Sequence, residues 1–150
     1  MNSYLDIVVF SRDLQPVLVV ECRRGRGADE ESAIDYRLNL LTHDFVPKSV
    51  SFLLAYPTTF FLWKQESSIG AKPDFIAPAL PLLRGYVGKL ADNACGWDSS
   101  SLELLLSYWL SELAAGIRTP NHNSEAERML SDSGLLEKIR FGKIKTQVPR

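Results

Sequence analysis

The sequence predicts a mixed α/β domain in which two strands, a helix and two further strands are followed by a mostly helical part. Two short apolar runs rich in β-branched residues open the chain, and two more follow a helical segment, all within residues 1–66. The 150 residues are 45% hydrophobic and 23% charged, which is enough apolar sequence for one core. We therefore predict a single domain, with an α/β core at residues 1–66 and a mostly helical C-terminal extension at residues 67–150.

The first two strands are predicted at Tyr4–Phe10 and at residues 17–20. Both are nearly continuous apolar runs, as expected of strands that are buried on both faces. The polar segment 11–15 lies between them, and Pro16 opens the second strand. This pattern predicts a β-hairpin at the start of the chain.

A helix is predicted after this hairpin, beginning in the acidic segment 29–31 and ending near residues 42–45, before Pro47. Acidic side chains in the first turn suit the positive end of the helix dipole. An apolar stripe with spacings of three and four follows, formed by Ala33, Tyr36, Leu40 and Leu41. Two more strands are predicted beyond it, at residues 50–56 and Thr59–Trp63, so the helix connects two strand pairs.

The remaining residues, 67–150, contain the strongest helix pattern in the chain. Two prolines within residues 77–83 disfavour a regular helix start before about Leu82. Helices are predicted over residues 84–93, 102–117 and 125–139, the last interrupted near Ser133 and Gly134. The basic tail, residues 142–150, is predicted to be frayed.

Composition excludes several classes of function. The net charge of −1 gives no overall attraction to nucleic acid or membranes, so a nucleic-acid site would need a local basic patch. Cys22 and Cys95 are far apart and have no metal-ligand spacing, which favours reduced thiols. No apolar run approaches the roughly 20 residues that span a bilayer, and the acidic start does not resemble a secretory signal. A cytoplasmic location is predicted.

Two carboxylates are the first candidate for a functional site. Asp6 and Glu21 lie on the two strands of the hairpin, at the ends away from its turn. A carboxylate in an apolar strand is costly unless it is paired or metal-bound, and two together require a cation or a proton. Mg²⁺ is commonly held by one or two carboxylates with water and phosphate oxygens, and the backbone carbonyl of Cys22 offers a further oxygen. The alternative is structural, with Glu21 paired at the surface to Arg23 or Arg24.

The basic residues directly after Glu21 are the second candidate. Arg23, Arg24 and Arg26 surround a glycine that permits close approach to a backbone, and three guanidinium groups could bind phosphates. Arg24 and Arg26 are therefore candidate nucleic-acid-binding residues. The alternative is a solvated loop that is balanced by the acidic segment 29–31.

The order Asp6, hairpin, Glu21-x-Arg23 resembles the PD-(D/E)XK nuclease superfamily, in particular the N-terminal nuclease domains of type I restriction subunits and small restriction-endonuclease-like proteins. Tyr36 in the next helix and the aromatic strand Thr59–Trp63 resemble the elements that follow this motif. The resemblance covers Tyr4 to about Trp63. It implies a restriction-endonuclease-like mixed sheet and a nucleic-acid-associated protein, with DNA favoured over RNA.

The resemblance also implies a mechanism. Asp6, Glu21 and the Cys22 carbonyl would hold Mg²⁺, and Arg23 would stabilise the pentacovalent state during phosphodiester hydrolysis. The catalytic residues implied are thus Asp6, Glu21 and Arg23.

Three departures from the family pattern leave the type of function open. Arg23 replaces the usual lysine and cannot act as a base near neutral pH, because a guanidinium stays protonated there. The family's upstream helix has no counterpart before Asp6, and the glutamine of its central helix is absent. The alternatives are an active nuclease, an inactive nuclease fold that binds protein or nucleic acid through residues 102–113 or the aromatic hairpin, and a homo-oligomer that supplies the missing layer.

Overall fold

One open, mixed sheet forms the centre of the computed structural model, which describes residues 4–27, 29–121 and 123–150. Its strands are β1 (Tyr4–Phe10), β2 (Pro16–Cys22), β3 (Ser51–Ala55), β4 (Thr59–Trp63), β5 (Phe75–Pro78) and β6 (Lys143–Pro149). Their order across the sheet is β5-β4-β3-β2-β1-β6. β2 and β3 are parallel, and the other neighbours in this described sheet are antiparallel.

Helices cover both faces of the sheet. They are α1 (Glu30–Thr42), α2 (Leu80–Val87), α3 (Ser99–Ala115), α4 (Glu125–Asp132) and α5 (Leu135–Ile139), with a 3₁₀ segment at Gly88–Gly96. Side-chain caps set several helix starts, because a carboxylate or hydroxyl oxygen accepts an otherwise unpaired amide hydrogen. Asp29 caps α1 in this way and Asp98 caps α3, at 2.8 and 2.9 Å.

Two apolar clusters separate along the alternating faces of the strands. Val8, Val19 and Phe61 pack with α1 residues such as Ala33 and Leu40. On the opposite face, strand residues pack against α3, α4 and α5, and the ring of Phe60 stacks on that of Trp109 with centroids 6.2 Å apart. The sheet is therefore the middle layer, with α1 on one face and the C-terminal helices on the other.

The mixed α/β class and the predicted order of the first five elements agree with the structure. The interruption of the last helix is also confirmed, since α4 ends at Asp132 and Gly134 has a φ of 80° before α5. Residues 102–113 are different. Most of their apolar side chains are buried in the core of this chain, as are the aromatic residues of β4, whereas Leu104 and Tyr108 are 69% and 63% exposed. The buried faces are therefore part of the core, and a partner surface within residues 102–113 is left to the exposed side chains of Leu104 and Tyr108.

The predicted start of α2 is wrong. The helix begins at Leu80, with Pro81 in its first turn. Proline is tolerated there because its missing N–H would have no partner inside the helix. The short strand β5 was also not predicted, since its four residues pair with β4 alone and end at a proline.

The predicted fraying of the tail is wrong as well. Residues 143–149 form β6, which pairs antiparallel with β1 from Phe10–Lys143 to Tyr4–Pro149. Most of its side chains are exposed, and Ile144 and Val148 are partly buried. A strand of this kind is stabilised mainly by backbone hydrogen bonds to its neighbour, so its side chains give little periodic signal. Among the described residues, no helix is both long and apolar enough to cross a membrane.

Candidate functional site

The structure brings Asp6 and Glu21 together at one end of the sheet. The antiparallel register of β1 and β2 ends at the pair Ile7–Val20, and Asp6 and Glu21 are the next residues on the two strands; their side chains are hydrogen-bonded and line one cavity. Both are buried, with 8% of Asp6 and 3% of Glu21 exposed. Two carboxylates thus share a position that is largely removed from water.

Asp6 lies where β1 changes its pattern of buried faces. Leu5 and Val8 both belong to the cluster on the α1 face, whereas Ile7 belongs to the cluster on the α3 face. Residues two apart in a strand normally face the same side, so the regular alternation of side-chain direction in β1 is broken between Leu5 and Ile7. The carboxylate of Asp6 accepts a hydrogen bond of 2.8 Å from the backbone N–H of Cys22. This bond to the backbone of β2 fixes the orientation of the Asp6 carboxylate, which β1 carries.

Arg150 is the cation that pairs with Glu21. Its Nη2 donates a hydrogen bond of 2.7 Å to Oε1 of Glu21, and the exposed fractions of the two side chains are 8% and 4%. Its guanidinium also lies 5.1 Å from the centre of the Phe45 ring. The surface pairing of Glu21 with Arg23 or Arg24, considered from the sequence, is wrong because Glu21 is buried and bonds to Arg150.

One guanidinium does not fully compensate the two carboxylates. The pKa of Glu21 is raised to about 8: burial is the largest cause, a hydrogen bond with Asp6 and repulsion from it act in the same direction, and Arg150 acts against them. Burial also raises the pKa of Glu103 on α3; the hydrogen bond from Gln147 lowers it, and repulsion from Asp6 raises it. The site is thus an acidic pocket that favours a further proton or cation.

A cavity of about 550 Å³ opens onto the acidic pair. It is lined by residues from β1, β2, the loop after β2, α1 and α3, together with Arg150: Asp6, Glu21, Cys22, Arg23, Tyr36, Asn39, Leu40 and Ser99. The polar side chains of Asn39 and Ser99 were not singled out from the sequence. Helices on opposite faces of the sheet both reach this end of β1 and β2, which is why residues distant in sequence meet there.

Arg23 lies at the exposed side of this cavity. Its guanidinium carbon is 4.9 Å from the centre of the Tyr36 ring, an arrangement that orients the cation. Tyr36 is half-buried: it packs against the apolar cluster on the α1 face, as its place in the apolar stripe of α1 predicts, and it also lines the cavity. The contact with Tyr36 therefore holds the positive charge of Arg23 at the same cavity as the two carboxylates.

Arg24 and Arg26 are exposed on the loop that follows, and neither lines the cavity. The backbone of this loop is held in place, because Thr58 donates a hydrogen bond of 2.6 Å to the carbonyl of Arg26. Gly27 packs so closely that a Cβ at its position would lie 2.5 Å from Oγ1 of Thr58. The loop thus presents two guanidinium groups to solvent from a fixed backbone.

Arg37 on α1 is buried beside a loop. It is 4% exposed and donates hydrogen bonds of 2.9 Å to the carbonyls of Ser67 and Ser68. Its guanidinium also lies 5.4 Å from the centre of the Trp63 ring. Arg37 therefore anchors a loop and is not part of the acidic site.

The donor atoms present suit Mg²⁺ better than a thiolate-binding metal. The Cys22 side chain lies in the apolar cluster on the α3 face, and burial raises the pKa of its thiol well above the usual value. Among the described residues, no group of three or more His, Cys, Asp or Glu side chains is placed to hold a metal ion. Two carboxylates beside an open cavity nonetheless match Mg²⁺, which commonly takes one or two carboxylates and completes its shell with water.

No protein-family model, curated protein or solved structure matches this chain. The chemistry of the site itself therefore carries the functional conclusion.

Proposed function

We propose that this protein is a PD-(D/E)XK-like, nucleic-acid-associated phosphodiesterase with a restriction-endonuclease-like core. The observation that carries the proposal is the juxtaposition of Asp6 and Glu21, two buried carboxylates at a cavity where Arg150 is bonded to Glu21. Burying such a pair costs stability unless it serves to bind a cation. DNA is the favoured substrate.

Mg²⁺ would be held by Asp6 and Glu21, with the backbone carbonyl of Cys22 as a further oxygen. When bound, this ion would supply Lewis-acid stabilisation of charge on a phosphodiester. The role of Asp6 is then to hold one carboxylate oxygen in a set orientation, through its bond with the Cys22 amide.

Arg23 would bind a phosphate oxygen and stabilise the negative charge that develops on it. Its position over the Tyr36 ring restricts its orientation, so less conformational freedom is lost when phosphate binds. Arg24 and Arg26 would bind neighbouring phosphates from outside the cavity. An arginine cannot serve as the general base near neutral pH, so Arg23 acts here by charge alone.

The test is nuclease activity with Mg²⁺ or Mn²⁺ on duplex DNA, single-stranded DNA and RNA. Both the wild type and Arg150→Gln are assayed, since the variant lacks the internal cation at Glu21. We expect cleavage that chelation abolishes, and a loss of about 100-fold or more in Asp6→Asn and Glu21→Gln. Asp13→Asn, in the exposed turn between β1 and β2, is the matched control and should keep full activity. The absence of metal-dependent cleavage in both wild type and Arg150→Gln would overturn the proposal.

A second candidate is a nuclease fold that binds nucleic acid without cleaving it. The ion pair between Arg150 and Glu21 favours this alternative, because a guanidinium already neutralises one carboxylate. Fluorescence anisotropy with labelled DNA in chelator separates the two functions. Tight binding without cleavage by any variant would support the second candidate.

A further inference from the structure

Arg150 occupies the acidic pocket as a component of the protein itself. Its guanidinium is held from two sides, by the carboxylate of Glu21 at 2.7 Å and by the carbonyl of Phe45 at 3.4 Å, with the Phe45 ring beneath it. Phe45 is positioned in turn by its own N–H, which donates to the carbonyl of Leu40 at 2.9 Å. Arg150 therefore links Glu21 at the end of β2 to Phe45, which lies just after α1.

The space beside the Glu21 carboxylate accommodates only one cation at a time. Mg²⁺ or Mn²⁺ on Glu21 would lie about 2 Å from a carboxylate oxygen, close to the guanidinium that is hydrogen-bonded to Oε1. Two cations at such a distance repel strongly when little water screens them. The side chains of Arg150 and Glu21 are both more than nine-tenths buried, so screening at this site is weak.

We propose that Arg150 is an internal plug of the acidic site, which competes with a divalent cation for Glu21 and must withdraw before that cation binds. This inference rests on the proposed function and adds a regulatory step to it. The site is closed when the end of β6 is docked, and open when Arg150 has left the pocket.

The withdrawal of Arg150 can begin at Gln147, near the end of β6. Gln147 has a φ of 52°, a left-handed conformation that is unfavourable for a residue other than glycine. Its side-chain amide is held by the two carboxylate oxygens of Glu103, at 2.9 and 3.0 Å. Pro149 lacks an N–H and so cannot donate to β1. Movement of residues 147–150 would withdraw Arg150 and leave the pairs from Thr146 back to Lys143 in place.

The test measures binding of Mn²⁺ alone, by isothermal titration calorimetry, and needs no nuclease activity. We expect Arg150→Gln to bind Mn²⁺ about tenfold more tightly than the wild type, or more, because a positive charge beside the site has been removed. The gain should disappear in the double variant Arg150→Gln with Glu21→Gln. Arg12→Gln, which removes an exposed arginine in the β1–β2 turn, is the matched control and should bind as the wild type does. Equal or weaker binding by Arg150→Gln would overturn the inference.

A second measurement on the wild type covers the case in which Arg150→Gln fails to fold. Amide hydrogen exchange of residues 143–150 is followed with and without saturating Mn²⁺. Faster exchange at residues 147 and 148 in the presence of the ion supports withdrawal of the plug, and unchanged or slower exchange overturns it.

The two proposals fail in distinguishable ways. If Arg150→Gln gains Mn²⁺ affinity but no variant cleaves nucleic acid, the plug is supported and the phosphodiesterase is not. If wild type and Arg150→Gln bind Mn²⁺ equally and both cleave, the phosphodiesterase is supported and the plug is overturned.

Discussion

Arg150 donates a hydrogen bond of 2.7 Å to Glu21, although 129 positions separate the two residues in the chain. The bond joins the end of the edge strand β6 to the end of the central strand β2. A residue from the last part of the chain therefore completes a site whose carboxylates come from the first hairpin. Folding of the C-terminal half and the charge state of the site are coupled for this reason.

The first prediction concerns the pH dependence of stability. Burial, with the neighbouring Asp6, raises the pKa of Glu21 from 4.5 to about 8 despite the opposing effect of Arg150, so between these values the folded chain binds more protons at this residue than the unfolded chain. The contribution of Glu21 to stability is then fully present below about pH 4.5 and is lost as pH rises through about 8. Urea unfolding in chelator should show this fall in the wild type and a flatter profile in Glu21→Gln. An identical slope in both proteins would contradict the raised pKa.

The second prediction concerns a buried ion pair beneath α3. Glu127 is 1% exposed and accepts hydrogen bonds of 2.9 Å from Arg118 and 3.3 Å from the Trp109 indole. Glu127→Ala leaves both donors without this partner, and a loss of about 3 kcal/mol is expected. That estimate takes the low end of the usual range because the Arg118 side chain is 27% exposed.

The exposed pair of Arg84 and Asp92 is the matched control for this prediction. Their side chains are 57% and 51% exposed, and Asp92→Ala should cost less than about 1 kcal/mol. Urea denaturation of both variants provides the comparison. Similar losses for the buried and exposed pairs would show that burial does not set the cost.

The third prediction concerns the loop that carries the candidate phosphate-binding arginines. Gly25 and Gly27 both have positive φ, 92° and 97°, so alanine strains the backbone at either position. A Cβ at Gly27 would also approach Oγ1 of Thr58 to 2.5 Å, whereas a Cβ at Gly25 would have no described atom within 4 Å beyond its own chain neighbours. Gly27→Ala should therefore lower the free energy of unfolding by about 1 kcal/mol more than Gly25→Ala. Equal losses would mean that the loop moves away from Thr58 without cost.

The fourth prediction concerns nucleic-acid binding and depends on the proposed function. Arg24→Gln and Arg26→Gln should each weaken DNA binding across unrelated sequences and lower the slope of log affinity against log salt by about 1. Fluorescence anisotropy over a salt series measures both quantities. Arg12→Gln should leave the slope unchanged, because that arginine lies in the β1–β2 turn at the other end of the hairpin. A slope equal to that of the wild type in both loop variants would exclude phosphate contacts by this loop.

Local sequence patterns were sufficient for much of the α/β core. The apolar runs of β1 and β2, the acidic start of α1 and the apolar face of α3 each specify an element through neighbouring residues, so their positions could be predicted. β6 could not be predicted in this way. Its strand state depends on backbone pairing with β1, which lies at the opposite end of the sequence.

The sequence by itself determined the two carboxylates, their place on a hairpin and the basic loop directly after them. Only the tertiary structure decided which cation meets Glu21, that Arg37 anchors a loop, and that Asn39 and Ser99 line the cavity. The physical reason is distance along the chain. A pattern shows what a residue does to its near neighbours, whereas the charge state of a buried acid depends on every group that packs around it.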